Sequence, residues 1–252
     1  MPVLPAGCLQ LPGPRLTSHL SSVILGQAPH PTRKGILARS IGLLGGTGPE
    51  GKGLAARFAR AGLEVMIGSR TTDRGRAAAE EVSLSSGTRV KGGSNLETAQ
   101  VAEIVVVTVP YEGMRDTLVA LEPELRGKIV VSAVVPLQFS RARISALDVP
   151  SGSAAQEAQS ALPSSQVTAA FHNLPASHLL DVGRPIDGDV VICADDETAL
   201  QETLALAERI EGVRGVKGGP LANSRLVEHL TALILNVNRI YKAETHIKFV
   251  GL

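Results

Sequence analysis

The sequence predicts an α/β fold: a doubly wound parallel sheet with a smaller C-terminal α/β part that ends in a long helix. Three observations carry this. Short apolar runs alternate with helical stretches from residue 39 to residue 217, the spacing of strand–helix–strand units with right-handed crossovers. The run Ile104, Val105, Val106, Val107, Thr108 and Val109 is almost unbroken in β-branched residues, as expected of a strand buried on both faces. Gly46-Thr47-Gly48-Pro49-Glu50-Gly51 follows one apolar run and opens another. Such a Gly-x-Gly-x-x-Gly turn between strand and helix lets the backbone approach a pyrophosphate and aims a helix N-terminus at it.

Each element has its own signal. Residues 39–44 read as a short buried strand, and the helix after the glycine turn is established by residue 53. A second strand covers residues 64–68, followed by a helix over 73–83 in which Ala77, Ala78 and Ala79 supply propensity. Residues 88–91 are a weakly marked third strand, and 95–101 a short helix. The β-branched strand stops at Pro110, which has no amide hydrogen to donate. A helix over 112–121, a fifth strand over 128–132 and a sixth over 166–171 continue the alternation. In the second half, residues 189–193 and 213–217 read as strands. Asp195, Asp196 and Glu197 read as N-cap and first-turn charges of the intervening helix, not as metal ligands. The longest helix runs from residue 223 to about 246. Leu226, Leu230, Leu233, Val237 and Ile240 recur on it at spacings of three or four, giving one apolar stripe for a core or a dimer seam.

The chain has 252 residues and a hydrophobic fraction of 44%, enough for one large domain or for a nucleotide domain with a smaller partner. Residues 39–150 are read as the nucleotide-binding domain and 151–252 as the smaller part. A net charge of +1 with no basic block or aromatic ladder gives no sign of nucleic-acid binding. Cys8 and Cys193 lack neighbouring ligands at metal spacing, so no metal is indicated, and a reduced, cytoplasmic compartment is the expectation. No apolar run approaches the roughly 20 residues of a membrane helix. Residues 1–38 contain no Asp or Glu and six of the 15 prolines. They read as a disordered or targeting extension, which keeps organellar targeting open.

The second strand ends in Ser69-Arg70, about 20 residues past the glycine turn. NAD-selective sites usually place a carboxylate there, to accept bonds from the ribose hydroxyls. This chain offers a hydroxyl and a guanidinium, with Arg74 one turn further on. A planar guanidinium can hold a 2′-phosphate dianion bidentately and stack on adenine, so the cofactor read from these residues is NADP. Ligands of such sheets sit beyond the carboxyl ends of the strands. Thr108-Val109-Pro110 and Val134-Val135-Pro136 lie there and should wall the nicotinamide side of a Rossmann-like cleft.

Several segments together resemble one family. Residues 44–48, 51–55 and Gly68-Ser69-Arg70 are similar to the opening of the NADPH-dependent coenzyme F420 reductases. So are Thr108-Val109-Pro110, Phe171-His172-Asn173-Leu174-Pro175-Ala176 and the run from Gly219 through Pro220, Leu221, Ala222, Asn223, Ser224 and Arg225 to Glu228. The likeness runs from about residue 39 to the C-terminus, and its last run is the most discriminating. The resemblance implies hydride transfer between NADP and the deazaflavin ring of F420. It implies that Thr47, Gly48, Pro49 and Glu50, with Ser69, Arg70 and Arg74, hold the phosphates. Val109, Val135 and Ala176 would line the nicotinamide, with His172, Leu174 and Pro175 near its junction with the deazaflavin. Leu221, Asn223 and Ser224 would close the other side. His172 is the titratable group placed near the rings, either bonded to a ring carbonyl or satisfied structurally. Tyr111 is the aromatic residue placed for stacking.

No residue order suited to protonating a carbonyl substrate is present, which fits hydride exchange between two cofactor rings. Glu50 stands where the family often has a neutral residue. Its charge should repel a pyrophosphate, so its side chain is expected to face solvent or Lys52. The alternatives are an NADPH-dependent reductase of a metal chelate, flavin or imine, and a non-catalytic NADP sensor.

Overall fold

The computed structural model describes residues 40–252; the extension read over residues 1–38 lies outside them. The elements run β1 (Ser40–Leu44), α1 (Pro49–Arg60), β2 (Glu64–Ser69), α2 (Thr72–Ser86), β3 (Lys91–Ser94), α3 (Asn95–Val101) and β4 (Ile104–Val107). Then come α4 (Met114–Ala120), α5 (Glu122–Leu125), β5 (Ile129–Ser132), β6 (Leu137–Phe139), β7 (Ile144–Ala146), α6 (Ala154–Ala161) and β8 (Gln166–Ala169). The chain closes with α7 (Ala176–Leu180), β9 (Gly188–Ala194), α8 (Glu197–Ala207), β10 (Val213–Gly219) and α9 (Ser224–Tyr241).

One sheet of eight strands, in the order β10-β9-β8-β5-β4-β1-β2-β3, forms the frame. Strands β3, β2, β1, β4, β5 and β8 are mutually parallel. β9 pairs antiparallel with β8, and β10 runs parallel to β9, so the sheet is mostly rather than wholly parallel. The order reverses at β1, with β2 on one side and β4 on the other. That is the switch point at which such sheets open a crevice. Apolar layers cover both faces. Leu43, Leu54, Phe58 and Ile67 belong to one, and Leu44, Val105, Met114, Leu118 and Val130 to the other. All four residues of β4 are buried, as the β-branched run requires.

Elements β6, β7, α6 and α7 fall where the sequence reading placed none, and two of the elements it did place differ. The third strand is Lys-Gly-Gly-Ser over Lys91–Ser94, not residues 88–91. Gly75 of α2 rests directly on it: a Cβ there would come within 2.0 Å of the Gly93 carbonyl oxygen. This strand is set by backbone contact with a helix, which leaves no apolar alternation to read. The second difference is in α9, which stops at Tyr241 with Lys242 in a left-handed cap. Its buried face is Ser224, Val227, Glu228, Thr231 and Ala232. The stripe read from the sequence lies off that face: Leu226 is 70% exposed, Leu233 59% and Ile240 72%. The N-cap read at the start of α8 is present: Asp196 accepts from the Ala199 amide at 2.7 Å. A reciprocal capping box of Ser94 and Glu97, not read from the sequence, starts α3.

The C-terminal segment is tied to β9 and β10. Asp189, 1% exposed, accepts from Arg214 Nε at 2.8 Å and Nη2 at 2.7 Å, and from the Phe249 amide at 2.5 Å. The Arg214 hydrogen bonds hold the Asp189 carboxyl below the usual carboxylate range. A depressed folded pKa stabilises above the unfolded value of about 3.9, and that contribution is lost as pH falls through the folded value. Asp189→Asn is therefore expected to be less stable than the wild type at pH 7. The gap should close as urea unfolding is repeated at progressively lower pH below about 4.

Candidate functional site

Two adjoining clefts lie beyond the carboxyl ends of β1, β4, β5 and β8, at the switch point. The first, about 410 Å³, gathers Thr47, Gly48, Ser69, Arg70, Arg74, Thr108, Val109 and Pro110 from the sequence-derived set. The second, about 380 Å³, gathers Glu50, Val135, His172, Leu174, Pro175 and Ala176, again with Thr108, Val109 and Pro110. Those last three residues wall both clefts. Thr108 is fixed at its place by donating from its amide and hydroxyl to the Leu44 carbonyl, at 2.9 and 3.0 Å.

In the first cleft the glycine turn is held by Gly46, whose amide donates to the Gly68 carbonyl at 3.1 Å. Gly51 lies so close to Gly46 that a Cβ would meet its Cα at 2.5 Å. Gly46 and Gly51 are therefore scaffold residues behind the cleft wall, and Pro49 is the exposed first residue of α1. No side chain caps α1 at Gly48, which leaves amides of its first turn free for an anion. At the other end, Ser69 is buried while Arg70 and Arg74 are exposed, giving a cationic rim. Asn95, Gly113 and Thr117 also border this cleft. Asn95 follows the β3 end that was misread, and no local pattern marks the other two.

The second cleft is predominantly apolar. Phe171, just before His172, has φ 71°, a region that costs a bulky residue roughly 1–3 kcal/mol. The strain is held by packing: Phe171 is buried, with its ring edge-to-face against Phe58 at 5.8 Å. This turn sends the Phe171 ring into the core and leaves His172 to the cleft. His172 is 6% exposed, and neither ring nitrogen has a partner. Burial pushes its pKa down to about 4, so the ring is a neutral imidazole. The backbone beside it is braced by α9. Thr231 Oγ1 donates to the His172 carbonyl at 3.2 Å and accepts from Asn173 Nδ2 at 2.9 Å. Tyr111 lies on this cleft too, with its hydroxyl donated to Glu157 at 2.9 Å. Desolvation and that carboxylate push its pKa up to about 12.

Glu50 is half-buried and does not reach Lys52, contrary to that part of the expectation above. Lys52 reaches across to Glu81 of α2. The Glu50 side chain turns into the second cleft, and its Oε1 is sealed from water without a partner. Burial pushes its pKa up to about 8, so the carboxyl is protonated at neutral pH and the expected repulsion is absent.

Leu221, Asn223, Ser224 and Pro136 are not brought to either cleft. The Leu221 amide donates to Asp195 at 2.9 Å, Asn223 Nδ2 to the Gly218 carbonyl at 2.8 Å, and Ser224 Oγ to Ser153 at 2.7 Å. The loop over residues 220–224 packs on β8, β9 and α6, because β10 runs against the parallel strands and enters α9 from that side. Thr231 and Leu235 of α9 border the second cleft in its stead. Pro136 is buried behind Val135 and accepts from the Leu147 amide at 2.9 Å.

A mostly parallel sheet with a glycine turn, a cationic rim and an apolar slot at its switch point defines an NADP-dependent oxidoreductase of Rossmann-like architecture. Residues 40–136 match the family described as NADP oxidoreductase, coenzyme F420-dependent. The F420-dependent NADP reductase of Methanothermobacter marburgensis is 40% identical over 205 residues, covering 79% of this chain and 92% of the relative. That of Methanocaldococcus jannaschii is 36% identical over 220 residues, covering 84% and 98%. The chain belongs to the F420-dependent NADP reductase family. A crystal structure of a putative F420-dependent NADP-reductase from an Arthrobacter species matches the fold, with a TM-score of 0.73 at 24% identity, covering 84% of this chain and 99% of that one.

Proposed function

We infer that the protein is an oxidoreductase that transfers a hydride between NADP(H) and the deazaflavin coenzyme F420. Two clefts of unlike chemistry share the wall of Thr108, Val109 and Pro110, and that juxtaposition carries the proposal. The residues present fit both cofactors. The turn of Thr47 and Gly48 offers backbone to a pyrophosphate, while Ser69, Arg70 and Arg74 offer a hydroxyl and two cations to a 2′-phosphate. Val135, Leu174, Pro175 and Ala176 offer small apolar walls to stacked rings. His172 enters as a neutral group able to accept or donate one hydrogen bond. When bound, the nicotinamide and the deazaflavin supply the two ends of the hydride transfer. The protein's part is to orient them and exclude water. On this reading residues 39–150 hold most of the NADP site and 151–252 complete the acceptor side.

Small-molecule cofactors are the partners this assigns, in a cytoplasmic protein that does not bind nucleic acid. None of the described helices is long and apolar enough to cross a membrane. The spacing of Leu226, Leu230, Leu233, Val237 and Ile240 on the open side of α9 supports a homodimer seam, since four-three apolar repeats pair helices. Leu233→Glu is expected to shift sedimentation toward the monomer without lowering cleft occupancy by NADPH.

The functional test mixes the protein with NADPH and F420 and follows the deazaflavin absorbance band. Bleaching at a rate proportional to protein supports the proposal. Protection from unfolding by NADPH without bleaching points to a sensor. Consumption of NADPH by a flavin, an imine or a metal chelate but not by F420 points to another acceptor.

A further inference from the structure

Glu50 and His172 reach the apolar cleft from separate elements, the first turn of α1 and the segment after β8. Oε1 of Glu50 and both ring nitrogens of His172 are sealed from water and have no hydrogen-bond partner. Buried polar atoms are seldom left in this state. On the wall of a cleft they are groups that a ligand completes.

No countercharge explains the carboxyl. On α1, Lys52 is paired with Glu81 of α2, and Arg57 donates to the carbonyls of His178, Leu179 and Asp181. On α7, His178 faces Glu244 at 3.8 Å. On α2, Arg74 borders the other cleft and Arg76 lies beside Glu97. On β2, Glu64 pairs with Lys91 and Arg70 follows into the other cleft. Inside the apolar cleft the other titratable groups are His172 and Tyr111, the latter engaged with Glu157. On α9, Glu228 accepts from the amides of Ala154 and Ala155. Burial alone accounts for the raised pKa of Glu50, about 8, and for the neutrality of His172.

We propose that Glu50 senses the charge of the nicotinamide: it keeps its proton in the free protein and beside the neutral reduced ring, and gives it up beside the cationic oxidised ring. This rests on the reading that NADP binds with its ring where the two clefts meet. An opposite charge within about 4–6 Å favours the ionised carboxylate, and the largely apolar lining of the cleft strengthens the attraction. The charges balance. When the reduced nucleotide loses a hydride, its ring becomes a cation. The Glu50 O–H bond then breaks to leave a carboxylate, and the proton goes to the acceptor that took the hydride or to solvent. The cleft stays neutral overall before and after transfer. In the opposite direction, the carboxylate is reprotonated as the ring regains its hydride.

The test is calorimetric titration of the full-length protein with NADP⁺ and, separately, with NADPH, in buffers of differing ionisation enthalpy. Both nucleotides carry the same 2′-phosphate, so protons it loses cancel in the comparison. At pH 7 NADP⁺ should release roughly one proton per site more than NADPH does. Near pH 9.5 the difference should vanish, because Glu50 is then ionised beforehand. E50Q should bind both nucleotides and show no difference at pH 7. Equal proton counts for the two nucleotides in the wild type at pH 7 would overturn the proposal, as would a difference that survives in E50Q. The wild-type pH series decides the matter even if the variant does not fold. Failure of the wild type to bind either nucleotide is a separate outcome, and it removes the functional reading together with the inference.

Discussion

Replacing Arg70 by aspartate is expected to weaken NADP⁺ binding by on the order of 100-fold and to leave NAD⁺ binding within a few-fold of its starting value. The guanidinium stands at the end of β2, exposed, on the rim of the cleft that holds the glycine turn. A phosphate dianion gains two parallel charge-assisted hydrogen bonds from such a fork. The substitution removes both and sets a negative charge in their place. NAD⁺ has hydroxyls at that point, and a carboxylate accepts from them. The ratio of affinities therefore moves by more than either affinity alone. Arg74 remains as a second cation, which is why loss and not abolition is expected. Salt should narrow the effect, since the rim is open to solvent and screened at about 10 Å in 0.1 M salt. Fluorescence titration of wild type and R70D with both nucleotides, at two salt concentrations, measures this directly. An unchanged NADP⁺ affinity in R70D would remove the basis for assigning the cofactor.

Much of the nucleotide half was legible because its determinants are local. A glycine turn, the strand after it and the residues ending that strand lie within about 30 residues, and periodicity places them on one sheet edge. Thr108 to Pro110 were legible for the same reason, as the end of a β-branched strand. The acceptor half depends on longer routes. Thr231 and Leu235 reach the second cleft only because α9 follows a strand that runs against the parallel ones, and no spacing within α9 announces that. The same reversal carries Leu221, Asn223 and Ser224 away from the cleft. Glu50 was misread for a different reason. Repulsion from a pyrophosphate suggested a solvated carboxylate, whereas the side chain turns to the cleft formed by residues 108–111, 133–137 and 172–176. The apolar stripe on α9 was read as core or a dimer seam, and its spacing alone does not separate the two, since a buried helix face can be built from Ser224, Thr231 and Ala232 when it packs closely.

Two glycines of one turn should separate folding from binding when each is changed to alanine. At Gly48 the backbone has φ −78° and ψ 169°, which any residue adopts, and an added Cβ meets nothing within 4 Å. The fold should tolerate Gly48→Ala with a change in Tm of no more than about 2 °C. The methyl group would instead occupy the space through which a pyrophosphate comes close to the backbone. NADP⁺ affinity is expected to fall on the order of 100-fold. At Gly51 the added Cβ lies 2.5 Å from Gly46 Cα and 2.8 Å from its carbonyl oxygen. Both contacts are backbone, so no side chain can swing aside, and α1 must move off the turn. Overpacking of this kind costs about 1–3 kcal/mol, a fall in Tm on the order of 5 °C for a chain of this size. Gly51→Ala should therefore lose stability and nucleotide affinity together. Thermal melts with and without saturating NADP⁺ read both effects. The wild type should gain Tm from the nucleotide, Gly48→Ala should start near the wild-type Tm and gain little, and Gly51→Ala should start low and gain little. A Gly48→Ala protein stabilised by NADP⁺ as strongly as the wild type would mean that the pyrophosphate does not lie against this turn.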